Sequence, residues 1–133
     1  EAVRREVEEQ GRQAMEIMTR TTRNATAINA PPTGTSDTTL SVDVDSAPAS
    51  PTVFSLASGA LQVVEGLGSA VSLTNAKVVA TGLTIENLSR ASTPGTVRIT
   101  FTLSNAAAAD EPFLYTQTFY GSASLQLPPL SPP

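Results

Sequence analysis

The sequence predicts an α+β fold, a long N-terminal helix packed against an antiparallel β-sheet. Three observations carry that expectation. Charge is split along the chain: residues 1–28 hold five Arg and five Glu, half of all charged residues, at net zero. Residues 29–133 hold seven acids and three bases, which accounts for the formal net charge of −4. Apolar residues recur at helical spacing in the first segment and alternate in the second. The second segment is also rich in β-favouring Thr, 18 in the whole chain, with Gly and Pro placed as turns. Hydrophobic residues make up 40% of the 133, enough for one modest core.

The helix is expected over residues 1–28. At 100° per residue Val3, Val7, Ala14, Ile17, Met18, Thr21, Ala25 and Ile28 share one stripe. Opposite charges sit four apart at Arg4–Glu8, Arg5–Glu9, Glu8–Arg12 and Glu16–Arg20, each pair adding a few tenths of a kcal/mol. The first Pro is Pro31, and the Pro31-Pro32-Thr33-Gly34 cluster is expected to stop the helix. The stripe is thin at its start, so the second half is expected to pack on the sheet and the first half to project.

Strands follow in order. Leu40, Val42 and Val44 alternate with Ser41, Asp43 and Asp45. Residues 52–56 and 61–65 flank a Ser58-Gly59 turn, and Gly66 and Gly68 mark a second loop, into 70–73. Residues 77–88 form a long β-type stretch in which Gly82 predicts a bend or bulge. A turn at 92–95 leads into Val97, Ile99, Phe101 and Leu103, alternating with Arg98, Thr100 and Thr102. A loop at 106–112 precedes a last aromatic strand over 113–122. The domains are then a helix at 1–28, a β headgroup at 29–125 and a Pro-rich tail at 126–133, expected to be disordered or extended.

Composition excludes much chemistry. With no His, Cys or Trp, the chain has no Ser-His-Asp triad, no Cys-His pair, no disulfide and no zinc site with those ligands. Lys77 is the only lysine and lacks a Ser three residues before it. Asp43 and Asp45 alternate on one strand face, and no Gly-turned loop of oxygen ligands surrounds them or Asp37. No enzymatic activity, cofactor, metal or small-molecule substrate is expected. The five Arg of the helix are balanced by Glu, whereas phosphate binding needs uncompensated cations, so a solvated face is favoured over DNA binding. Phe113, Tyr115 and Phe119 are expected as core and sheet edge, not as a binding strip. Asn24-Ala25-Thr26 and Asn87-Leu88-Ser89 fit the N-glycosylation pattern. The first falls at the expected helix end and the second in an expected strand, so neither is expected to serve.

The run Gln10-Gly11-Arg12-Gln13-Ala14-Met15-Glu16-Ile17-Met18-Thr19-Arg20-Thr21-Thr22-Arg23-Asn24-Ala25 resembles the helix of minor type IV pilins and minor pseudopilins of type II secretion. Members often carry Gln-x-x-Arg-x-Ala spacing, an aliphatic residue, then Arg-x-x-Arg-x-Ala; here Gln10 stands two residues before Arg12, and Arg20, Arg23 and Ala25 keep the second spacing. Thr22 stands where Leu is commoner. Residues 82–88, 97–103 and 115–122 continue the likeness. It implies a pilin-like fold and a helix that continues an apolar membrane segment lying before Glu1. It implies a filament subunit, held in the inner membrane before assembly and at the cell surface after it, whose partners are other pilin or pseudopilin subunits. On that reading Arg4, Arg5, Glu8, Glu9, Arg12, Met15, Glu16 and Arg20 face neighbouring subunits. Ala14, Ile17, Met18, Thr21, Ala25 and Ile28 pack the helix on the sheet. The alternative is a secreted or surface-anchored β-rich binding or adhesin domain, with loops 66–69 and 105–112 carrying recognition.

Overall fold

The computed structural model describes residues 2–90, 95–105 and 115–125. Helix α1 spans Ala2–Arg23, five residues shorter than expected at its C-terminal end. The backbone finds other partners before the prolines are reached. Asn24 N–H donates to Arg20 O at 3.1 Å, and Ala25 N–H closes a tighter turn onto Thr22 O at 3.1 Å. Thr26 then donates from both N–H (2.8 Å) and Oγ1 (3.3 Å) to Asp43 O. That anchor turns Ala27–Ala30 into a strand, β1, which pairs antiparallel with β3 (Leu40–Asp43). Ala25 and Ile28 therefore reach the core from a turn and a strand, not from the helix.

The remaining strands are β2 (Ser36–Asp37), β4 (Thr52–Ala57), β5 (Ala60–Glu65), β6 (Val71–Ser72), β7 (Val78–Asn87), β8 (Thr96–Asn105) and β9 (Thr116–Ser124). A single 3-10 turn, Ala47–Ala49, precedes β4. The hairpin turn between β4 and β5 uses left-handed Ser58 (φ 54°) and Gly59 (φ 78°), which matches the right-handed twist of the flanking strands. In β7 the register with β8 shifts between Thr81 and Thr84, where Gly82 has φ 66°, so the expected bulge is present.

The expected single sheet is a correction. The strands form two antiparallel sheets, β1-β3-β4-β5-β6 and β2-β7-β8-β9, and they make up roughly half of the described residues. The molecule is thus a predominantly β fold with one helix, and not a helix on one sheet. Alternation shows that a strand has one buried face; it does not show which strands share a ladder. The chain leaves the first sheet after β6 and enters the second at β7, while β2 pairs Ser36 with Glu86 and Asp37 with Ile85. A backbone bond links the two sheets where Ala80 N–H donates to Gly59 O at 2.7 Å.

Both sheets and the helix close on a single core. Leu40, Val42, Phe54 and Leu61 come from the first sheet. Val78, Ala80, Leu83, Ile85, Val97, Ile99, Phe101 and Leu103 come from the second, and Val7, Ala14 and Met18 from α1. The 10-residue strand β8 alternates without a break, burying Val97, Ile99, Phe101, Leu103 and Asn105. The expected 106–112 loop, Phe113 and Leu114, most of the 92–95 turn and the 126–133 tail lie outside the described residues.

Candidate assembly surface

Two glycines bring α1 onto β9. The Phe119 ring sits so close over Gly11 that any Cβ there would overlap it. Four residues along the helix, Met15 seats its thioether on Gly121, where an added Cβ would lie 2.5 Å from the sulfur. Residues 11 and 15 share a helix face, and residues 119 and 121 share a strand face. Each element thus offers one side chain and one glycine, and the two pairs interlock. The Phe119 ring also packs on Phe101, with centroids 5.5 Å apart.

A second clasp is polar. Gln10 is buried, with its Oε1 accepting from Asn75 N–H at 2.9 Å and its Nε2 donating to Asn75 Oδ1 at 2.7 Å. The same Nε2 donates to Glu6 Oε2 at 2.5 Å. The helix is thereby tied to the segment between β6 and β7. Thr19 and Thr22 are also buried, and their hydroxyls donate to Met15 O and Met18 O, each at 2.8 Å. That backbone bond lets a threonine lie on an apolar face without an orphaned donor.

The inner face of α1 therefore differs in part from the expected stripe. Ala14 and Met18 are buried and Ile17 and Thr21 half-buried, as the stripe requires. Val7, in the half expected to project, is also fully buried, so the helix packs along more of its length than its thin apolar start implies. The side chain of Val3 lies outside the described residues. Gln10, Gly11, Thr19 and Thr22 escape a hydropathy stripe because none is strongly apolar. A lone glycine inside a helical pattern was the available signal for Gly11, since such a residue costs helix stability unless packing needs it. Neither hydropathy nor charge pattern marks Gln10 for burial.

The outer face collects the charges. Arg5, Glu9, Arg12, Glu16 and Arg20 are exposed, as is Arg4; Glu8 is half-buried. Met15, assigned to that outer group, instead packs on Gly121. Of the four expected intrahelical ion pairs, Arg4–Glu8 is present at 3.3 Å. Arg5, Arg12 and Arg20 make no ion pair among the described residues, where the other pairs are Glu6–Lys77 (4.0 Å) and Glu86–Arg98 (3.3 Å). The Arg4 guanidinium also lies 6.0 Å from the Tyr115 ring centre. Between α1 and β9 runs a shallow groove of about 460 Å³, lined by Glu8, Arg12, Met15, Glu16, Thr19, Gln117, Phe119 and Tyr120.

The other candidates resolve into ordinary structural roles. Asp43 Oδ1 accepts from Asn29 Nδ2 at 2.8 Å, and Asp37 Oδ1 accepts from Thr38 N–H at 2.7 Å. Among the described residues no three His, Cys, Asp or Glu side chains are grouped to hold a metal. No described helix is long and apolar enough to cross a membrane. Tyr120 projects outward, whereas Tyr115 and Phe119 are half-buried. Comparison with known protein families, with curated proteins and with solved structures yields no match for this chain.

Proposed function

We propose that this chain is a non-enzymatic structural subunit of the minor pilin or pseudopilin kind, which assembles into an extracellular filament through α1. One observation carries the reading. The inner face of α1 is committed to its own sheet, and the outer face is left with exposed arginines and glutamates in alternation. Arg5, Glu9, Arg12, Glu16 and Arg20 recur at steps of three or four residues, so they form one continuous ridge. A neighbour carrying the same ridge, offset along the helix, sets Arg against Glu. Such pairing fixes register between subunits more than it adds raw affinity. The likeness of residues 10–25 to minor pilin helices supports the same reading and supplies the partners: other pilin or pseudopilin subunits, with the inner membrane as the site before assembly. DNA is not part of the proposal, because residues 1–28 balance five Arg with five Glu.

The test is the native N-terminus of the full-length protein from its source cells. About 20 apolar residues with one glutamate, running directly into Glu1, is the expected result. A mature end at or near Glu1, left by ordinary signal-peptide cleavage, sinks the proposal.

A second reading, a surface-anchored binding domain, is favoured by Leu67. It is wholly exposed at the tip of the loop between β5 and β6. The loop is held by Gly66 N–H to Pro51 O and Gly68 N–H to Glu65 O, each at 2.9 Å. Under that reading Leu67→Ser abolishes adhesion to a target surface; under the filament reading it leaves assembly unchanged.

A further inference from the structure

We infer that Asn24 is an N-linked glycosylation site, receiving an oligosaccharide from a lipid-phosphate or lipid-pyrophosphate donor. The chain has two Asn-x-Ser/Thr sequences, and the fold treats them in opposite ways. Asn87 is buried, and its Nδ2, the atom that a glycosyl transfer would use, donates to Pro31 O at 2.8 Å. Its Oδ1 accepts from Ser89 N–H at 3.0 Å, and its backbone bonds Gly34 and Thr35, each at 2.9 Å. Ser89 Oγ, the hydroxyl of that sequence, accepts from Thr96 N–H at 3.0 Å. Every polar group a transferase would need is engaged in joining β7 to its neighbours.

The Asn24 side chain has none of these ties. Because α1 stops at Arg23, Asn24 stands in the turn between α1 and β1 and not inside a helix. It is exposed, and among the described residues its side-chain amide makes no hydrogen bond. Thr26, two residues on, is also exposed, and its hydroxyl is held only by a long 3.3 Å bond to Asp43 O. Ala25, between them, points into the core and fixes the turn so that both polar side chains face outward. A Thr at the third position and a residue other than Pro at the second complete the acceptor pattern.

In the transfer, Asn24 Nδ2 bonds the anomeric carbon of the donor sugar. The carbon–oxygen bond to the lipid phosphate breaks, and its electron pair leaves with that phosphate. One amide proton is lost to a base of the transferase. The product is a bulky, solvated group at the C-terminal end of the helix. The inference rests on the proposed export of the chain, since such donors are used outside the cytoplasm.

The test is intact-glycopeptide mass spectrometry on the protein recovered from separated surface and cytoplasmic fractions of its source cells. The expected result is a glycan mass on the Asn24 peptide of the surface form and a bare Asn87 peptide. Asn24→Gln then removes the added mass while leaving thermal stability unchanged. A surface protein with bare Asn24, or with sugar on Asn87, overturns this inference and leaves export standing. A protein found only in the cytoplasm and unmodified overturns both.

Discussion

On its inner side α1 meets β9 through interlocked Phe119–Gly11 and Met15–Gly121 contacts and is clasped to Asn75 by both ends of the Gln10 amide. On its outer side the same helix presents Arg5, Glu9, Arg12, Glu16 and Arg20 to solvent, with no ion pair made by the three arginines among the described residues. The difference teaches that one helix keeps its packing and its charges on separate faces, so under the proposed function stability and assembly are carried by different residues. Substitutions on the two faces should then separate cleanly. Inner changes lower stability wherever assembly is measured, and outer changes alter assembly at constant stability.

The sharpest way to break this comparison is to empty the inner face. Met18 is fully buried in the shared core. Met18→Ala is expected to destabilise by about 2–5 kcal/mol, since the surrounding strands relax only partly into the cavity. Urea denaturation followed by circular dichroism measures it. A loss below about 1 kcal/mol would mean that α1 is loosely docked and that its inner face is no more committed than its outer one.

Gly11→Ala comes next. The added methyl meets the Phe119 ring, and an overpacked site of this kind costs about 1–3 kcal/mol. Removing a helix-interior glycine returns up to about 1 kcal/mol, so the net loss sits toward the lower part of that range. A double-mutant cycle with Phe119→Ala isolates the contact. If the glycine makes room for that ring, Gly11→Ala turns neutral or stabilising in the Phe119→Ala background. Unchanged destabilisation there would place the constraint elsewhere.

Much of the strand content is legible in the sequence, and the reason is local. The alternation around Val97, Ile99, Phe101 and Leu103 forces one face of β8 inward whatever its neighbours are. Ser58-Gly59 and Gly82 are readable because only some residues tolerate their backbone angles. What is not legible depends on distant partners. Ala27–Ala30 continues the helical stripe, yet Asp43 O captures Thr26 and the segment becomes a strand beside β3. The division into two sheets is likewise a matter of which ladders close, and alternation is silent on that. On the candidate assembly surface the charged ridge is readable from spacing alone. The burial of Gln10 is not, because its partner Asn75 lies 65 residues away.

Gln10→Leu probes that long-range clasp. It removes two hydrogen bonds to Asn75 and a third to Glu6, and it adds an apolar side chain of similar size. The expected cost is about 1–2 kcal/mol, limited because Asn75 is exposed and water can replace part of what is lost. Hydrogen exchange should show faster opening of the segment between β6 and β7 than in the parent, with β8 unaffected. Faster exchange throughout would mean that the clasp holds the whole fold and not one segment.

The smallest stability effect is expected where the assembly effect is expected to be largest. Arg12→Glu replaces an exposed, unpaired side chain on the outer ridge and lines only the shallow groove beside β9. Its change in stability should stay within about 0.5 kcal/mol. In a filament the substitution sets like charges against each other at every subunit contact, so incorporation into shed filaments should fall. Glu16→Arg added to Arg12→Glu exchanges the two charges, so a contact between residue 12 of one subunit and residue 16 of the next again sets opposite signs together, and subunits of the double variant should again fit one another. Quantitative immunoblotting of filament and cell fractions reads both. Recovery in the double variant requires that residues 12 and 16 meet across a subunit boundary. Loss that persists in the double variant, at unchanged stability, would instead make Arg12 a contact to a partner of fixed acidic charge, and the outer face would then serve a different subunit from this one.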